Sequence, residues 1–318
     1  MRRKILALLC AVLLCITVFA GCVQNNTPQE TEGAATPKPT EEIASASPSA
    51  SASPVVVTDM SGNTVTVDSA EKIVSLTPAG TEIVCALGAE DKLVGVDDSS
   101  DYPRSVDKIE VVGDFNGPDI EKIVALEPDV VLAGNMLQHD EIDQLTALGI
   151  TVVSIEATAF EDIKKSITMV GKILDASQEA NKINKKIDEA LKEAEENKPE
   201  KSPTVYYAMS YGDMGNWTSG PGSFINSMIE AAGGTCVTAD AQASWLEYSL
   251  EDLVAANPDI ILVDSSMGSA GDIENAPGYE DLDAVKKGHV YIVDADVFTR
   301  PGPRIAEAVK AVSEIVNQ

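Results

Sequence analysis

Two stretches of this chain, Asp119-Ile-Glu-Lys-Ile-Val-Ala-Leu-Glu-Pro-Asp-Val-Val-Leu-Ala133 and Ser249-Leu-Glu-Asp-Leu-Val-Ala-Ala-Asn-Pro-Asp-Ile-Ile-Leu-Val263, follow one pattern. Each opens on a residue that caps a helix, Asp119 or Ser249. Each continues through apolar residues at helical spacing, turns at Pro-Asp, and ends in an apolar run of strand length. A helix, a turn and a buried strand are therefore predicted twice. Between the copies, roughly Thr158 to Lys198, lie two amphipathic helices. The first carries Phe160, Ile163, Ile167, Val170, Ile173 and Leu174 on one stripe, with Thr158 and Glu161 spaced as a capping box. The second starts near Ser177 and repeats the pattern through Ile183, Ile187, Leu191 and Ala194. The pattern predicts two related α/β lobes: an N-terminal lobe over 55–158, a bridging helix over 159–176 and a C-terminal lobe over 177–318. A cleft between the lobes follows from that arrangement.

Strands alternate with helices on both sides of the bridge. In the first half Ile73-Val-Ser-Leu76 runs into Thr77-Pro-Ala-Gly-Thr-Glu82, where Thr77 suits a cap and Pro78 the first helical position. In the second half Thr204-Val-Tyr-Tyr-Ala-Met209 is a strand, and Gly288-His-Val-Tyr-Ile-Val293 is the last one. Such alternation implies mainly parallel sheets covered by helices on both faces. Ligands of open α/β sheets bind beyond the carboxyl ends of the strands, so the exit loops are where a site is expected.

The chain has 318 residues, 44% of them apolar and only 4% aromatic, with a formal charge of −28. So acidic a body repels nucleic acid and anionic lipid headgroups, which excludes both as ligands. Residues 1–21 begin Arg2-Arg-Lys4, continue as the apolar run Ile5 to Phe19, and resemble a bacterial lipoprotein signal peptide ending before Cys22. Lipidation of Cys22 is expected, followed by a disordered Ser/Thr/Pro tether to residue 54. The protein is then expected on the outer face of the cytoplasmic membrane, which is the cell surface in an organism with a single membrane. Cys85 and Cys236 fall in different lobes and are expected as buried free thiols.

Signatures of catalysis are missing from the sequence. His139 and His289 lie far apart without carboxylate or cysteine partners at ligand spacing. There is no phosphate-cradling Gly-Lys-Ser/Thr loop and no Gly-x-Ser-x-Gly elbow. Binding features are better represented. Tyr102 and Phe115 in the first lobe, and Tyr211, Trp217 and Trp245 in the second, are predicted in strand-exit loops. Aromatics offered from facing loops suit a bulky or flat apolar ligand. Arg300, between Phe298 and Pro301, is the expected polar contact, and Arg304 is expected to anchor the last helix.

The segments Ile73-Val-Ser-Leu-Thr-Pro-Ala-Gly-Thr-Glu82, Ser100-Asp-Tyr-Pro103, Gly113-Asp-Phe-Asn-Gly117, Ile120 to Asp129 and Arg300-Pro-Gly-Pro-Arg304, in this order, resemble the helical-backbone (class III) substrate-binding proteins of ABC importers. That family serves cobalamin, ferric siderophores and haem, and the Trp245 and Phe298-to-Arg304 segments look most like its cobalamin-binding branch. The resemblance covers about residues 55–318. It implies a two-lobed fold, a corrinoid ligand (alternatively a ferric siderophore or haem), no enzymatic activity and no cofactor. It implies a ligand site at Tyr102, Phe115, Trp245 and Arg300, to which the loop reading adds Pro78, Tyr211, Trp217 and Phe298. It further implies delivery by a monomer to a permease dimer with its ATPase subunits, through Glu121 and Glu251.

Overall fold

The computed structural model describes residues 53–114, 116–134 and 139–318. The predicted signal peptide, Cys22, nearly all of the tether and Phe115 fall outside the described residues. Among the described residues no helix is long and apolar enough to cross a membrane.

The N-terminal lobe begins with a hairpin, β1 (Val55–Thr58) and β2 (Thr64–Val67), antiparallel with Val55 opposite Val67. The Met60 amide donates to the Ser154 carbonyl at 3.0 Å and fastens the hairpin to the lobe. There follow β3 (Ile73–Ser75), α1 (Pro78–Ala86), β4 (Leu93–Val96), β5 (Glu110–Val111), the small pair β6 (Gly113–Asp114) and β7 (Gly117–Pro118), α2 (Ile120–Leu126), β8 (Val130–Ala133), α3 (His139–Ala147) and β9 (Val152–Ser154). Five of these strands form a parallel sheet in the order β5-β4-β3-β8-β9.

The chain then crosses to the second lobe through α4 (Phe160–Ile173) and enters α5 (Ser177–Glu196). The C-terminal lobe contains β10 (Thr204–Ala208), β11 (Trp217–Ser219), α6 (Phe224–Ala231), β12 (Thr235–Cys236), β13 (Trp245–Glu247), α7 (Leu250–Ala256), β14 (Ile260–Asp264), α8 (Ala270–Glu274), α9 (Asp283–Lys287), β15 (Val290–Val293), α10 (Ala295–Thr299) and α11 (Ile305–Val316). Its parallel sheet has the order β12-β10-β14-β15, and β11 pairs with β13 as a separate antiparallel ladder.

Strand periodicity explains where the core sits, because alternate residues of a strand face opposite sides of its sheet. Val130 and Leu132 of β8, Val205 and Tyr207 of β10, and Ile260 and Leu262 of β14 face a core shared by both lobes. Their neighbours Val131 and Ala133, and Tyr206, Ala208, Ile261 and Val263, face two outer cores, one per lobe. The shared core runs through the bridge itself. Ile163, Ile167 and Val170 of α4 are completely buried in it, each contributing about 1.5–3 kcal/mol by burial. The lobes are thus joined by a packed helix rather than by a flexible linker.

The start of α4 differs from the expectation of a capping box at Thr158. The cap position is Ala159, with no side-chain hydrogen bond, and the Thr158 hydroxyl reaches only Asp162 Oδ2, at 3.5 Å. Glu161 pairs with Lys164 at 2.7 Å instead of reaching back. Two acids in the first turn compensate the positive helix end by charge, which explains how the helix begins without a cap.

The repeat copies share their local geometry. Asp119 Oδ1 accepts from the Lys122 amide at 3.1 Å, and Ser249 Oγ from the Asp252 amide at 3.0 Å. Both helices end in the left-handed region, at Glu127 (φ 49°) and Asn257 (φ 42°). The Pro-Asp turn then has a physical use in each lobe. Asp129 Oδ2 accepts from Ser69 Oγ and from the amides of Glu71 and Lys72, while Asp259 Oδ2 accepts from the amide and hydroxyl of Thr204. Each aspartate so ties its own strand, β8 or β14, to the start of the lobe's first sheet strand, β3 or β10.

Candidate functional site

A cavity of about 550 Å³ lies between the lobes. Its N-terminal wall consists of strand exits, as open α/β sheets require: Leu76–Ala79 after β3, Asp97–Ser99 after β4, Gly134 after β8 and Ile155–Thr158 after β9, with Asp114 and Gly117 from the β6–β7 pair. Its C-terminal wall comes from Gly222–Phe224 at the start of α6, Ser244 and Trp245 of the β13 segment, Asp296 in the first turn of α10 and Thr299–Pro301 at its end.

Each wall is fixed by its local sequence. Thr77 caps α1, its hydroxyl accepting from the Gly80 amide at 3.1 Å, and this sets Pro78 at the cleft surface. Gly80 lets the helix start lie close to the sheet, since a Cβ there would sit 2.7 Å from Ser75 Oγ and 2.8 Å from Ile155 Cδ1 and would force those side chains to shift. Opposite, Ser223 caps α6 and Phe224 begins it. The Phe224 ring packs edge-on to Trp245, with centroids 6.4 Å apart. The pair offers one apolar surface to the cleft.

The polar character of the cleft is acidic. Asp97, Asp98, Asp114, Glu156 and Asp296 line it among the described residues, against one cationic side chain, Arg300. Burial raises the Asp97 carboxyl above its ordinary value, against the opposing hydrogen bond from the Ser100 hydroxyl. Arg300 is already engaged. It donates to Asp101 and Asp296 at 2.7 Å each, to Glu82 at 3.2 Å and to the Ser99 carbonyl at 3.1 Å. Burial works against its charge, but the carboxylates of Asp101 and Asp296 more than compensate and hold the proton more firmly.

Behind Arg300, Arg304 grips the other side of Glu82, Nε to Oε2 at 2.8 Å and Nη2 to Oε1 at 2.5 Å. Glu82 belongs to α1 of the N-terminal lobe and is 3% exposed, so two arginines of the C-terminal lobe clamp one buried acid of the other. Arg304 therefore ties the start of α11 to the opposite lobe. Glu82 is a functional candidate that the sequence reading passed over, although it stands in the quoted Thr77-to-Glu82 motif. A carboxylate at an inward position of a short helix was the available signal.

The structure brings together Pro78, Trp245 and Arg300 of the expected ligand residues. The others are placed elsewhere. Tyr102 lies under the Arg304 guanidinium, 4.1 Å from it, and lines a separate cavity with Cys85 and Ile183. Tyr211 donates to the Met267 carbonyl at 3.0 Å and packs on Tyr279, outside the cleft. Trp217 pairs with Glu247 at the far end of the β11–β13 ladder from Trp245, half-exposed and away from the cleft. The sequence predicts both tryptophans in strand-exit loops; both are instead in strands of that ladder. Phe298 requires correction as a ligand contact. Asp294 caps a short helix there, α10, which turns the ring into the shared core at 2% exposure.

Both thiols are free, Cys236 buried but Cys85 only half-buried. Burial, then nearby acids, pushes each up to about 12, so neither is a reactive thiolate. His289 Nδ1 lies 3.2 Å from the Asp259 carbonyl, and among the described residues no group of three metal-ligating side chains comes together.

Residues 73–297 match the family model described as periplasmic binding protein. An ABC transporter substrate-binding lipoprotein of Bacillus subtilis, YvrC, is 34% identical over 96% of this chain and 95% of its own length. The vitamin B12-binding protein of Salmonella typhi is 33% identical over 78% of this chain and 91% of its own. Among solved structures, the periplasmic heme-binding protein RhuT of Roseiflexus superposes with a TM-score of 0.70 at 25% identity, covering 78% of this chain and 98% of that one. The match spans both lobes and the bridge, and this chain belongs to the periplasmic binding protein family as a substrate-binding component of an ABC importer, a transport protein and not an enzyme.

Proposed function

We propose that the protein captures a corrinoid of the cobalamin type in its cleft and delivers it to the permease. The observation that carries this reading is the pairing of an apolar aromatic surface, Trp245 on Phe224, with a rim of carboxylates and no uncommitted cation among the described lining residues. A corrinoid presents a broad ring edged with primary amides, whose N–H groups donate to carboxylates. Haem brings propionates and many ferric siderophores bring carboxylate or catecholate charge, which this rim repels. Haem also calls for an axial Tyr or His, and Tyr102 and Tyr211 are held elsewhere by Arg304 and Met267. The 33% identity to a vitamin B12-binding protein supports the same choice.

Isothermal titration with cobalamin, cobinamide, haem and an anionic ferric siderophore tests it. Tight binding of a corrinoid and none of the anions is expected. Preference for haem or the siderophore overturns the reading.

In the same reading Cys22 carries the lipid that holds the body at the membrane, so Cys22→Ala releases the protein into the medium. Glu121 and Glu251, both exposed in the first turns of α2 and α7, dock on basic residues of the permease. Glu121→Gln with Glu251→Gln should leave ligand affinity intact and abolish uptake. Normal uptake would reduce them to helix-end charges.

A further inference from the structure

The segment Arg300-Pro-Gly-Pro-Arg304 joins α10 to α11, both in the C-terminal lobe, yet it lies against the other lobe. Gly302 passes over the first turn of α1, where a Cβ on it would stand 3.7 Å from the Ala79 Cα and carbonyl oxygen. Farther along α1, Glu82 takes both arginines. Ala79 and Glu82 are three residues apart and share one helix face. The same arginines hold a second element, the exit loop of β4. Arg300 takes the Ser99 carbonyl and Asp101, and Arg304 lies over the Tyr102 ring. Asp97, Asp98 and Ser99 of that loop are cleft wall, as are Pro78 and Ala79 of α1. Two stretches of the N-terminal cleft wall are thus held by one segment of the opposite lobe.

Glu82, Tyr102 and Arg304 also line the second cavity, of about 660 Å³, where Cys85 and Ala86 of α1 face Ile183 and Lys186 of α5 and Ala306 of α11. At this edge the helices meet across open space, so charge rather than apolar packing holds them together. Two-pronged arginine–carboxylate contacts fix direction as well as distance. The α4 bridge joins the lobes along the shared core, and this segment is a second connection, made without a covalent link between the lobes.

We propose that residues 300–304 are an interlobe strap whose ionic hold on Glu82 sets the separation of the cleft walls, so that ligand retention depends on groups that do not touch the ligand. Glu82 and Arg304 are positioning residues in this account. They act through Arg300 and through the loop that carries Asp97, Asp98 and Ser99. Loss of the hold frees the lobes to part at this edge and leaves the loop without its cross-lobe partners. Ligand then escapes faster, while its entry is unaffected. The statement about retention rests on the corrinoid reading above; the statement about wall separation does not.

The test measures the distance between spin labels on the full chain in detergent, at Val111→Cys of β5 and Ile292→Cys of β15, exposed positions in different lobes. Glu82→Gln should broaden and lengthen the distance distribution of the ligand-free protein. Arg304→Gln, which leaves Arg300 on Glu82, should do so less, and Arg304→Lys, which restores the charge, less again. Ile273→Ala, in the outer core of the C-terminal lobe, is the control for stability alone and should match the parent. Release of bound cobalamin should quicken about tenfold in Glu82→Gln and about threefold in Arg304→Gln, at an unchanged association rate. Parent-like distances in both Gln variants, or equal broadening in Ile273→Ala, overturn the strap. Altered distances with unchanged release overturn its part in retention. Where Glu82→Gln fails to fold, Arg304→Gln decides alone. A parent that binds no cobalamin refutes the corrinoid reading, and the distances still decide the strap.

Discussion

The N-terminal lobe meets the cleft through the exits of its sheet strands, whereas the C-terminal lobe meets it mainly through additions to its sheet, the β13 segment and the starts and ends of α6 and α10. The repeated helix, turn and strand begin with matching caps, yet neither copy contributes a residue to the cavity. What is duplicated is the scaffold and its outward face. What is not duplicated is the binding surface: carboxylates mostly from one lobe, the aromatic pair and the arginine from the other. A fold made from two like halves can thus change its cleft by changing loops while keeping both outward faces.

The clamp is where the halves differ most, and it carries the largest expected effect. Glu82→Ala removes the acid shared by Arg300 and Arg304 and should cost about 3–5 kcal/mol, since the desolvated cations remain. Arg300 keeps the ion pairs with Asp101 and Asp296, whereas Arg304 keeps the Tyr102 ring and the charge of nearby Asp294. Arg304→Ala in the Glu82→Ala background should therefore recover part of the loss, and Arg300→Ala less. Denaturant titration checks both, and a loss below about 1 kcal/mol for Glu82→Ala would remove the clamp as a major contributor.

The two tryptophans give the next contrast. Trp245→Ala should weaken corrinoid binding by about 1–3 kcal/mol, while Trp217→Ala, outside the cleft, should leave affinity unchanged. Equal losses would mean that the cleft extends over the whole β11–β13 ladder.

How much of this was legible in the sequence follows from the range of the interactions. The lobes, the bridge and the outward glutamates were legible because helix and strand periodicity and caps are local signals. The α4 start was misjudged because two acids in a first turn substitute for a capping hydroxyl. Phe298 was misplaced because the short α10 turns on one aspartate, Asp294, whose capping bonds compete with a loop. The clamp was invisible because Glu82 and Arg304 stand 222 residues apart. Tyr102 was drawn from the cleft by that same arginine, so one long-range ion pair accounts for two differences.

Acid should separate the copies further. Burial alone would raise the Asp129 carboxyl, but the amide of Lys72, the hydroxyl of Ser69 and the amide of Glu71 together hold it below its usual range. The Thr204 amide, opposed by burial and aided by the Thr204 hydroxyl, does the same for Asp259. A carboxyl depressed in the folded state stabilises above its unfolded value, about 3.9, and that stability is lost as pH falls through the folded value. Asp129→Asn and Asp259→Asn should each lower stability at pH 7, by no more than about 1 kcal/mol given their solvent access. Each should also flatten the loss of stability below about pH 4. Asp129, fixed by three residues rather than one, should show the larger change. Identical acid profiles for parent and variants would refute the linkage.

The smallest effect distinguishes the helix ends that look most alike. Glu127 and Asn257 both adopt the left-handed conformation at the close of the repeat helix. A glutamate pays there for its Cβ, and its ion pair with Lys72, at 3.9 Å, is solvent-exposed and weak. Asparagine tolerates the conformation better, and Asn257 Oδ1 also accepts from the Asp283 amide at 2.9 Å, joining the end of α7 to the start of α9. Glycine removes the strain at either position but supplies no acceptor. Glu127→Gly should therefore raise stability by about 0.5–1 kcal/mol, the relief of strain exceeding the added freedom of the unfolded chain. Asn257→Gly should lower it by about 0.5–1.5 kcal/mol, because the Asp283 amide loses its partner. Opposite shifts in the urea midpoint, at unchanged slope, are the expected outcome. Shifts of the same sign would mean that the Asn257 bond to α9 contributes nothing beyond its backbone conformation.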